Sequence, residues 1–453
     1  AMSNELKPLH FDADYTMEEA LAEAKRCLNC PKPLCRMGCP IENEIPRFIQ
    51  AIAHGNFGLA NDILAERTNL PAICGRVCPR ENQCEGNCIM NKAKKPPINI
   101  GKLERFAADF ESINELRKPK KIKQDLGKVA VVGSGPAGLS VAGDVAKLGY
   151  DVTVFEGQSE PGGVLLFGIP EFRLSKSVVR REIARLKGLG VKFVCNTFIG
   201  QDKSLDDLFA EGFDTIFIGT GTHIPQEVRM ENDQITGVFQ AMYLLTNVQL
   251  VENGDLDESL IPVKKGDRVI IIGGGNVAMD AARTCVRLGA ESVTVAYRRS
   301  QEQMPALLSE YEEARAEGVQ FQWFASPVAV EGKDKVEGFK YEVMALNDDG
   351  AGIHGTGNFQ VMPVDKIIIA AGHKPNARLV GEGNNLRVDE KGYILTSEEP
   401  YGRTSREGVF AGGDVVHKPA TVVLAMREAK KAVDGMVKYM EIKRAMTIAE
   451  ANK

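Results

Sequence analysis

The sequence predicts an α/β chain in which two domains with parallel sheets follow an α-helical domain. Two segments, at 129–155 and 269–296, each show the order strand, glycine turn, helix and strand. This order is typical of the βαβ units from which nucleotide-binding domains with parallel sheets are built. The third observation is that eight of the ten cysteines lie between Cys27 and Cys88, ahead of both units.

Length and composition limit the function. A chain of 453 residues is too long for one domain, and 43% hydrophobic and 26% charged residues are typical of a globular protein. The net charge of −5 disfavours nucleic acid as a partner. The longest apolar runs, such as 367–371, are too short to cross a bilayer, and the N-terminus lacks an apolar signal region. We expect a cytoplasmic protein that binds neither nucleic acid nor membrane; Ala1 before Met2 is typical of an expression remnant.

Residues 1–125 are predicted to be helical. Thr16 and Glu19 form a capping-box pattern that opens a helix running to about Cys27. Two more short helices are predicted over 45–54 and 56–66. The polar stretch 118–121, Lys-Pro-Lys-Lys, is predicted to be the linker to the next domain.

The first βαβ unit carries the motif Gly-Ser-Gly-Pro-Ala-Gly at 133–138, after a strand and at the start of a helix. Its glycines allow a tight turn, close approach of a pyrophosphate and helix–strand packing, and the helix N-terminus faces the phosphates. A carboxylate at the end of the second strand can bind a ribose hydroxyl pair. The context disfavours a plain glycine-rich turn. The dinucleotide-binding residues predicted here are Gly133, Gly135, Pro136, Ala137, Gly138 and Glu156.

The second unit carries Gly-Gly-Gly-Asn-Val-Ala at 273–278, in which alanine is an accepted variant at the third glycine position. Arg298 and Arg299 stand where the first unit has Glu156. Guanidinium groups match phosphate geometry, so this site favours the 2′-phosphate of NADPH over NADH. The alternative is a solvated basic turn. The predicted nucleotide-binding residues are Gly273, Gly275, Asn276, Val277, Arg298 and Arg299.

Two different strand ends indicate two different dinucleotides, and here the chain resembles the flavoproteins with two dinucleotide-binding domains. On that resemblance, 126–235 and 375–453 form a discontinuous FAD-binding domain and 236–374 an NADPH-binding domain. Gly221 and Gly372 lie at strand ends where the chain crosses between the domains. The further residues that it implies at the FAD are Gly163, Gly413, Asp414 and Thr421. No side chain receives a catalytic role, because the cofactors carry the hydride chemistry.

The eight clustered cysteines predict metal ligation, because thiolates in a chain without a signal region more often bind metal than form disulfides. Structural zinc is one alternative. Proline after Cys39 and Cys78 is typical of ferredoxin-type runs, and the neighbouring domains handle electrons, so iron–sulfur clusters are favoured. Cys195 and Cys285 are not paired in sequence and are predicted to be buried core thiols.

With both halves considered, the chain resembles the small (beta) subunit family of bacterial NADPH-dependent glutamate synthase. The resemblance extends to the N-terminal part of dihydropyrimidine dehydrogenase and to the large subunit of NADH-dependent ferredoxin:NADP oxidoreductase. It rests on the eight cysteines, on 162–170 and on Tyr297 to Arg299 with Met304 and Pro305.

The resemblance implies two [4Fe–4S] clusters with interleaved ligands. One set is Cys27, Cys30, Cys35 and Cys88; the other is Cys39, Cys78, Cys84 and Glu104. Spacing alone would instead make Cys74 a ligand, so Cys74 and Glu104 remain competing assignments.

The function that follows is electron input: NADPH is oxidised through FAD, and electrons pass through the clusters to a partner subunit that carries the final acceptor site. That partner is the glutamate synthase large subunit or a ferredoxin-type reductase subunit. The alternatives are an electron-bifurcating subunit, a pyrimidine- or sulfide-type dehydrogenase subunit, and a non-catalytic electron-transfer subunit.

Overall fold

The computed structural model describes residues 15–113, 122–348, 350, 352–375, 385–418 and 421–451. The predicted linker at 118–121 lies outside these residues. The described chain forms two compact units: one contains residues 167–172 and 225–373, and the other contains the remainder. The strands 224–225 and 373–374, at the two places where the chain passes between the units, pair with each other.

The helices predicted from Thr16, over 45–54 and over 56–66, and those after the two glycine motifs, begin and end within a few residues of their expected positions. The helices of the structure are α1 (Met17–Lys25), α2 (Leu34–Met37), α3 (Ile45–Ala53), α4 (Phe57–Ala65), α5 (Pro71–Val77), α6 (Ile89–Lys92), α7 (Ile100–Ile113), α8 (Pro136–Lys147), α9 (Val164–Phe167), α10 (Lys176–Gly188), α11 (Leu205–Ala210), α12 (Ala241–Asn253), α13 (Asn276–Arg287), α14 (Leu308–Ala316) and α15 (Val422–Ala451).

The strands form two parallel sheets, one antiparallel sheet and the short pair just described. They are β1 (Lys128–Val132), β2 (Asp151–Phe155), β3 (Lys192–Val194), β4 (Thr215–Ile218), β5 (Ile224–Pro225), β6 (Val238–Gln240), β7 (Arg268–Ile272), β8 (Ser292–Tyr297), β9 (Gln320–Trp323), β10 (Ala325–Glu331), β11 (Gly338–Leu346), β12 (Ile353–Pro363), β13 (Lys366–Ile369), β14 (His373–Lys374) and β15 (Val409–Ala411).

The helical domain comprises α1 to α7 around an apolar core that includes Phe48. The predicted capping box is present, with the Thr16 side chain bonded to the Glu19 backbone and the Glu19 side chain to the Thr16 backbone. Helices α5 and α7 approach closely at Gly75, where a Cβ atom would lie 2.7 Å from the Arg105 nitrogen and 2.9 Å from the Gly101 oxygen. This contact requires glycine at position 75, and it brings Cys74 of α5 close to α7.

Polar contacts join the helical domain to helices of the first parallel sheet within the same unit. The Asn69 side chain donates to the Ser140 carbonyl oxygen at 3.1 Å and to the Asp144 carboxylate at 2.7 Å. Asp109 on α7 accepts from Arg76 at 2.6 Å and also from Arg181 of α10. Because these groups are partly or fully buried, the bonds fix the orientation of the helical domain on α8 and α10.

The first sheet has the order β15-β4-β1-β2-β3, and every pairing in it is parallel. Its register places Val132 beside both Phe155 and Ile218. The carboxyl ends of β1, β2 and β4 therefore share one edge, which is where open α/β sheets bind ligands.

The second sheet, in the other unit, has the order β6-β13-β7-β8-β9 and is also parallel. Ile272 at the end of β7 pairs with Ala296 and Ile369. The second glycine motif, the arginine pair and Gly372 thus follow neighbouring strand ends. The predicted α/β class with two nucleotide-binding folds is confirmed, whereas the antiparallel sheet β10-β11-β12 was not predicted.

A buried cation organises the unit that contains the second sheet. Arg283 on α13 is 2% exposed and pairs with Glu313 at 2.6 Å and Glu317 at 2.8 Å. The ring of Phe172 lies 4.4 Å from its guanidinium carbon. Removing one partner of a buried ion pair leaves an uncompensated charge, which is far more costly than losing a surface pair.

We expect Arg283→Met to lower the free energy of unfolding of this unit by about 3–5 kcal/mol. The single tryptophan of the chain, Trp323, lies on β9, so its fluorescence during urea titration reports on this unit. The matched control is Arg268→Met, which removes the exposed pair with Asp365 and should cost less than about 1 kcal/mol. Equal losses in the two variants would show that the buried charges do not dominate.

Candidate cofactor sites

Four cysteines that are far apart in sequence converge in the helical domain. Cys27, Cys30, Cys35 and Cys88 line one cavity together with apolar side chains that include Leu28. Cys35 interacts electrostatically with Cys27, Cys88 and Cys30. The structure therefore brings Cys88 to the three N-terminal cysteines, which is the grouping implied by the family resemblance. We call these four residues the first cysteine group.

Cys39, Cys78, Cys84 and Glu104 form the second group. Glu104 is 8% exposed and interacts with Cys39, Cys78 and Cys84. Its carboxylate lies 3.5 Å from the Asn43 amide nitrogen, a contact that sequence reasoning missed. Burial raises the pKa of Glu104, so an electropositive ligand would have to stabilise its ionised form.

Cys74 also borders the second group. Its sulfur lies 3.7 Å from the Thr68 hydroxyl and 3.8 Å from the Met426 sulfur, and it interacts with Cys78 and with Glu104. Cys74 and Glu104 thus both lie near Cys78. Which of them is the fourth ligand is a question for experiment.

The thiols are poor anions in the absence of a metal. Burial raises the pKa of Cys35 to about 12 and that of Cys39 to about 11. The thiolate is the form that ligates metal, so a cationic iron centre would be required to hold these groups ionised at neutral pH.

The donor set of the two groups is chemically suited to iron–sulfur clusters, because cysteine thiolates are the soft ligands that hold them.

The first glycine motif forms an open cradle at the end of β1. A Cβ atom at Gly138 would lie 1.9 Å from the Gly133 oxygen, so glycine is required there for helix–strand packing. Gly135 faces open space at the start of α8, and a Cβ atom at Gly163 would lie 2.9 Å from the Gly135 Cα. The residues fit a pyrophosphate approached by backbone amides at a helix N-terminus.

Glu156 is already held in position beside this cradle. One carboxylate oxygen accepts from the Ser134 amide at 3.1 Å and from its hydroxyl, and the other accepts from the Gln158 amide at 2.8 Å. The Ser134 hydroxyl in turn accepts from the Gly162 amide at 2.8 Å. A carboxylate offers about four acceptor positions, so Glu156 retains capacity for a ribose hydroxyl. Ser134 belongs to the glycine motif, but its hydrogen bonds to Glu156 and to the loop at Gly162 were not predicted.

The turn that carries Gly413 and Asp414 closely approaches the first glycine motif. A Cβ atom at Gly413 would lie 2.7 Å from that of Ala137, and burial raises the pKa of Asp414 to about 6. Thr421 precedes α15, and its hydroxyl accepts from the Leu424 amide at 3.3 Å. Gly221, with φ of 70°, follows β4 at the same edge of the sheet.

His417, to which the sequence assigned no role, has polar neighbours here. Its Nε2 atom lies 3.2 Å from the Tyr401 hydroxyl and 3.4 Å from the Glu428 carboxylate. The Tyr401 hydroxyl also donates to Glu428. Their separation in the chain explains why sequence inspection could not associate them.

The second glycine motif, in the other unit, has the same construction. A Cβ atom at Gly273 would lie 2.4 Å from the Ala370 oxygen, whereas Gly275 faces open space at the start of α13. The Asn276 side chain accepts from the Leu307 amide at 3.0 Å, so it braces a neighbouring loop. Val277 is in the first turn of α13, and Gly372, with φ of 95°, follows β13.

Arg298 and Arg299 follow β8, the strand beside the motif. Arg298 is exposed, and the buried Nε atom of Arg299 has no hydrogen-bond partner. Within the described part of the chain neither guanidinium forms an ion pair. Two such arginines at the ribose end of a nucleotide cradle are suited to a phosphate.

The remaining two cysteines do not form a redox pair of the thioredoxin-reductase type, because they lie on separate strand and helix segments of different units. Cys285 is fully buried, as predicted. The prediction was wrong for Cys195, which is half-buried, because it follows the edge strand β3 rather than an inner strand. No helix among the described residues is long and apolar enough to cross a membrane.

Two known protein families match successive parts of the chain. Residues 7–116 match the family described as dihydropyrimidine dehydrogenase domain II, 4Fe-4S cluster. Residues 127–429 match the pyridine nucleotide-disulphide oxidoreductase family. These matches establish an iron–sulfur region followed by a pyridine-nucleotide oxidoreductase region.

Curated relatives extend over nearly the whole chain. The chain is 37% identical to the glutamate synthase [NADPH] small chain of Halomonas elongata over 94% of its length and 92% of the relative. The same protein of Escherichia coli is 36% identical with the same coverage. The NAD-dependent dihydropyrimidine dehydrogenase subunit PreT of Escherichia coli is 35% identical, with 94% of this chain and 96% of the relative covered.

Solved structures agree on the fold. Mycobacterium tuberculosis FprA in complex with NADPH superposes with a TM-score of 0.58 at 19% identity, covering 71% of this chain and 86% of that one. Lactococcus lactis thioredoxin reductase gives a TM-score of 0.53 at 21% identity, covering 69% and 99%. From the two family matches and the identity along its length, the chain belongs to the glutamate synthase small-chain family of NADPH-dependent, FAD- and iron–sulfur-containing oxidoreductases.

Proposed function

We propose that this chain is the electron-input subunit of an NADPH-dependent glutamate synthase and holds two [4Fe–4S] clusters. The first cysteine group would ligate one cluster and the second group, with Glu104, the other. The partner would be the large subunit, which carries the site where the electrons are finally used.

The observation that carries the proposal is the presence of both cysteine groups in the same compact unit as the FAD cradle. When bound, NADPH supplies a hydride, FAD accepts it, and iron–sulfur clusters release the electrons one at a time. The chain's own residues bind and orient these groups. The start of α8 receives the pyrophosphate, Glu156 orients the ribose, and the start of α15 directs its positive end towards the flavin site.

The relatives offer a second candidate, a pyrimidine dehydrogenase subunit, since PreT is nearly as similar as the glutamate synthase chains. The two kinds of relative are named for different nucleotides, NAD for PreT and NADPH for the glutamate synthases. Arg298 and Arg299 favour NADPH, and with it the glutamate synthase assignment, because a 2′-phosphate distinguishes NADPH from NADH. An electron-bifurcating subunit remains the alternative if the physiological acceptor is a ferredoxin.

Reconstitution tests the function directly. Mixed with a glutamate synthase large chain, the protein should support NADPH-dependent formation of glutamate from glutamine and 2-oxoglutarate. NADPH consumption and glutamate yield are measured together, with dihydropyrimidine formation from uracil, in the presence of the PreT partner subunit, as the competing assay. Turnover in the second assay alone would assign the chain to pyrimidine metabolism.

Replacing both Arg298 and Arg299 by Ala should raise the KM for NADPH by about 10- to 100-fold, because a charged phosphate contact contributes about 1.5–3 kcal/mol. The KM for NADH should change little. Steady-state oxidation of both nucleotides with an artificial acceptor measures this. Arg229→Ala, which removes a 92% exposed arginine of the same unit, is the control and should leave both constants unchanged. An equal loss with the two nucleotides contradicts a 2′-phosphate contact.

Glu104→Ala should remove about half of the iron and acid-labile sulfide while FAD content stays constant, because a four-iron cluster needs its fourth ligand. Anaerobically prepared wild-type protein should hold about eight irons per chain. Electron paramagnetic resonance of the reduced protein should show one cluster signal lost or altered.

The competing ligand is tested in parallel with Cys74→Ser, which should spare the clusters if Glu104 is the ligand. Glu111→Ala, two turns further along α7, controls for general damage to the helix. If Cys74→Ser loses iron and Glu104→Ala does not, the assignment of Glu104 is wrong.

A further inference from the structure

All charged residues in the two segments that carry the first cysteine group are basic. Residues 25–37 and 88–97 contain all four of its cysteines and no Asp or Glu. The positively charged residues in these segments are Lys25, Arg26, Lys32, Arg36, Lys92, Lys94 and Lys95. This local excess contrasts with the net charge of −5 for the whole chain.

The arginines and lysines of these segments differ in their partners. Arg26 pairs with Glu23 and Arg36 with Glu44, both at 2.7 Å, so their charges are compensated from neighbouring segments. The five lysines are exposed, and across the described ranges none of them forms an ion pair. Their charge therefore acts outward, towards whatever approaches this surface.

The two segments are adjacent in space. The Arg26 guanidinium donates to the Pro96 carbonyl oxygen at 2.7 Å, which holds the lysine-rich turn at 92–95 next to Cys27 and Leu28. Lys32 lies between Cys30 and Cys35 in the connecting loop. The lysines thus surround the first cysteine group instead of being dispersed over the domain.

Two large apolar side chains of the first basic segment are exposed. Leu28 is 64% exposed and Met37 is 76% exposed. Leu28 also lines the cavity of the first cysteine group, so one wall of that cavity is a surface residue. An apolar centre with a polar or charged rim is the usual composition of a protein–protein contact.

The second cysteine group offers no such surface. Its segments include the acidic residues Glu42, Glu81 and Glu85, and Cys74 beside it contacts Met426 of α15. Its neighbour Cys74 thus contacts a helix of the first parallel sheet, whereas Leu28 at the cavity of the first group is exposed.

We propose that Leu28, Met37 and the five lysines form a docking surface for an acidic one-electron carrier protein, whose carboxylates surround an apolar centre of its own. The proposal rests on the proposed function in that the cysteine groups hold clusters that pass electrons to a partner protein; it adds that the first group is the exit. Complementary charge steers the encounter and sets its rate, while the apolar centre closes the contact over the cluster cavity.

Two haem proteins of opposite charge, acidic cytochrome b5 and basic cytochrome c, are suitable probes. Each NADPH yields two electrons and one proton, and reduces two haem irons from the ferric to the ferrous state. The wild-type protein should reduce cytochrome b5 the faster of the two, and this rate should fall as salt is raised. Each cytochrome reduction rate is divided by the rate at which the same preparation oxidises NADPH with menadione, a small neutral acceptor. Loss of the menadione reaction itself would count against the proposed function rather than the docking surface.

Lys94→Glu with Lys95→Glu should lower the second-order rate with cytochrome b5 by about 10-fold or more and raise the rate with cytochrome c. The matched control is Lys333→Glu with Lys335→Glu, an equal change of charge at two exposed lysines of the other unit, which should alter neither rate by more than about 2-fold. Met37→Ser tests the apolar centre, because it leaves the charge unchanged and Met37 does not line the cavity. This variant should reduce cytochrome b5 more slowly at all salt concentrations.

A binding measurement independent of turnover completes the test. In the absence of NADPH, sedimentation should show salt-sensitive association of cytochrome b5 with the wild-type protein and the Lys333/Lys335 control, but not with the Lys94/Lys95 variant. The proposal is overturned if both charge-reversal variants behave alike, or if the wild-type protein prefers cytochrome c.

Discussion

Both nucleotide sites depend on the in-register pairing of parallel strands. In each sheet the glycine motif, the charged residue at the next strand end and the later glycine turn follow different strands, far apart in the chain. Pairing of Val132 with Phe155 and Ile218, and of Ile272 with Ala296 and Ile369, brings these turns to one edge. A register slip of one residue would exchange side chains between the two faces of the sheet and displace the turns at the same time.

The sequence was sufficient for what is encoded locally. Strand, glycine turn and helix occur within one short segment, so both nucleotide folds and the difference between Glu156 and Arg298 could be predicted. The capping box at Thr16 was equally local. Contacts between distant segments could not be predicted from pattern alone: the buried Arg283 network, the Asn69 bridge to α8 and the Tyr401–His417–Glu428 cluster each join residues that no motif connects. The grouping of Cys88 with Cys27 came from family resemblance, because spacing does not determine interleaving.

The helical domain combines a well-packed apolar core with thiols that resist ionisation. Phe48 and Leu103 are fully buried, yet Cys35 and Cys39 have raised pKa values in the same core. Metal binding at these thiols would therefore release protons, which would couple the stability of this domain to iron supply and pH. The close contact of α5 with α7 at Gly75 lies in the same domain as Asp109, which bonds to Arg76 and to Arg181 of α10.

Ser134 gives the FAD cradle its shape independently of any ligand. Its hydroxyl and amide hold Glu156, and Gly162 donates to the same hydroxyl, so the loops on either side of the pyrophosphate position are joined by the protein's own bonds. The entropy of ordering these loops is lost when the chain folds and not when the dinucleotide arrives. Such pre-organisation favours tight retention of a cofactor that must remain in place through many cycles while the nicotinamide nucleotide comes and goes.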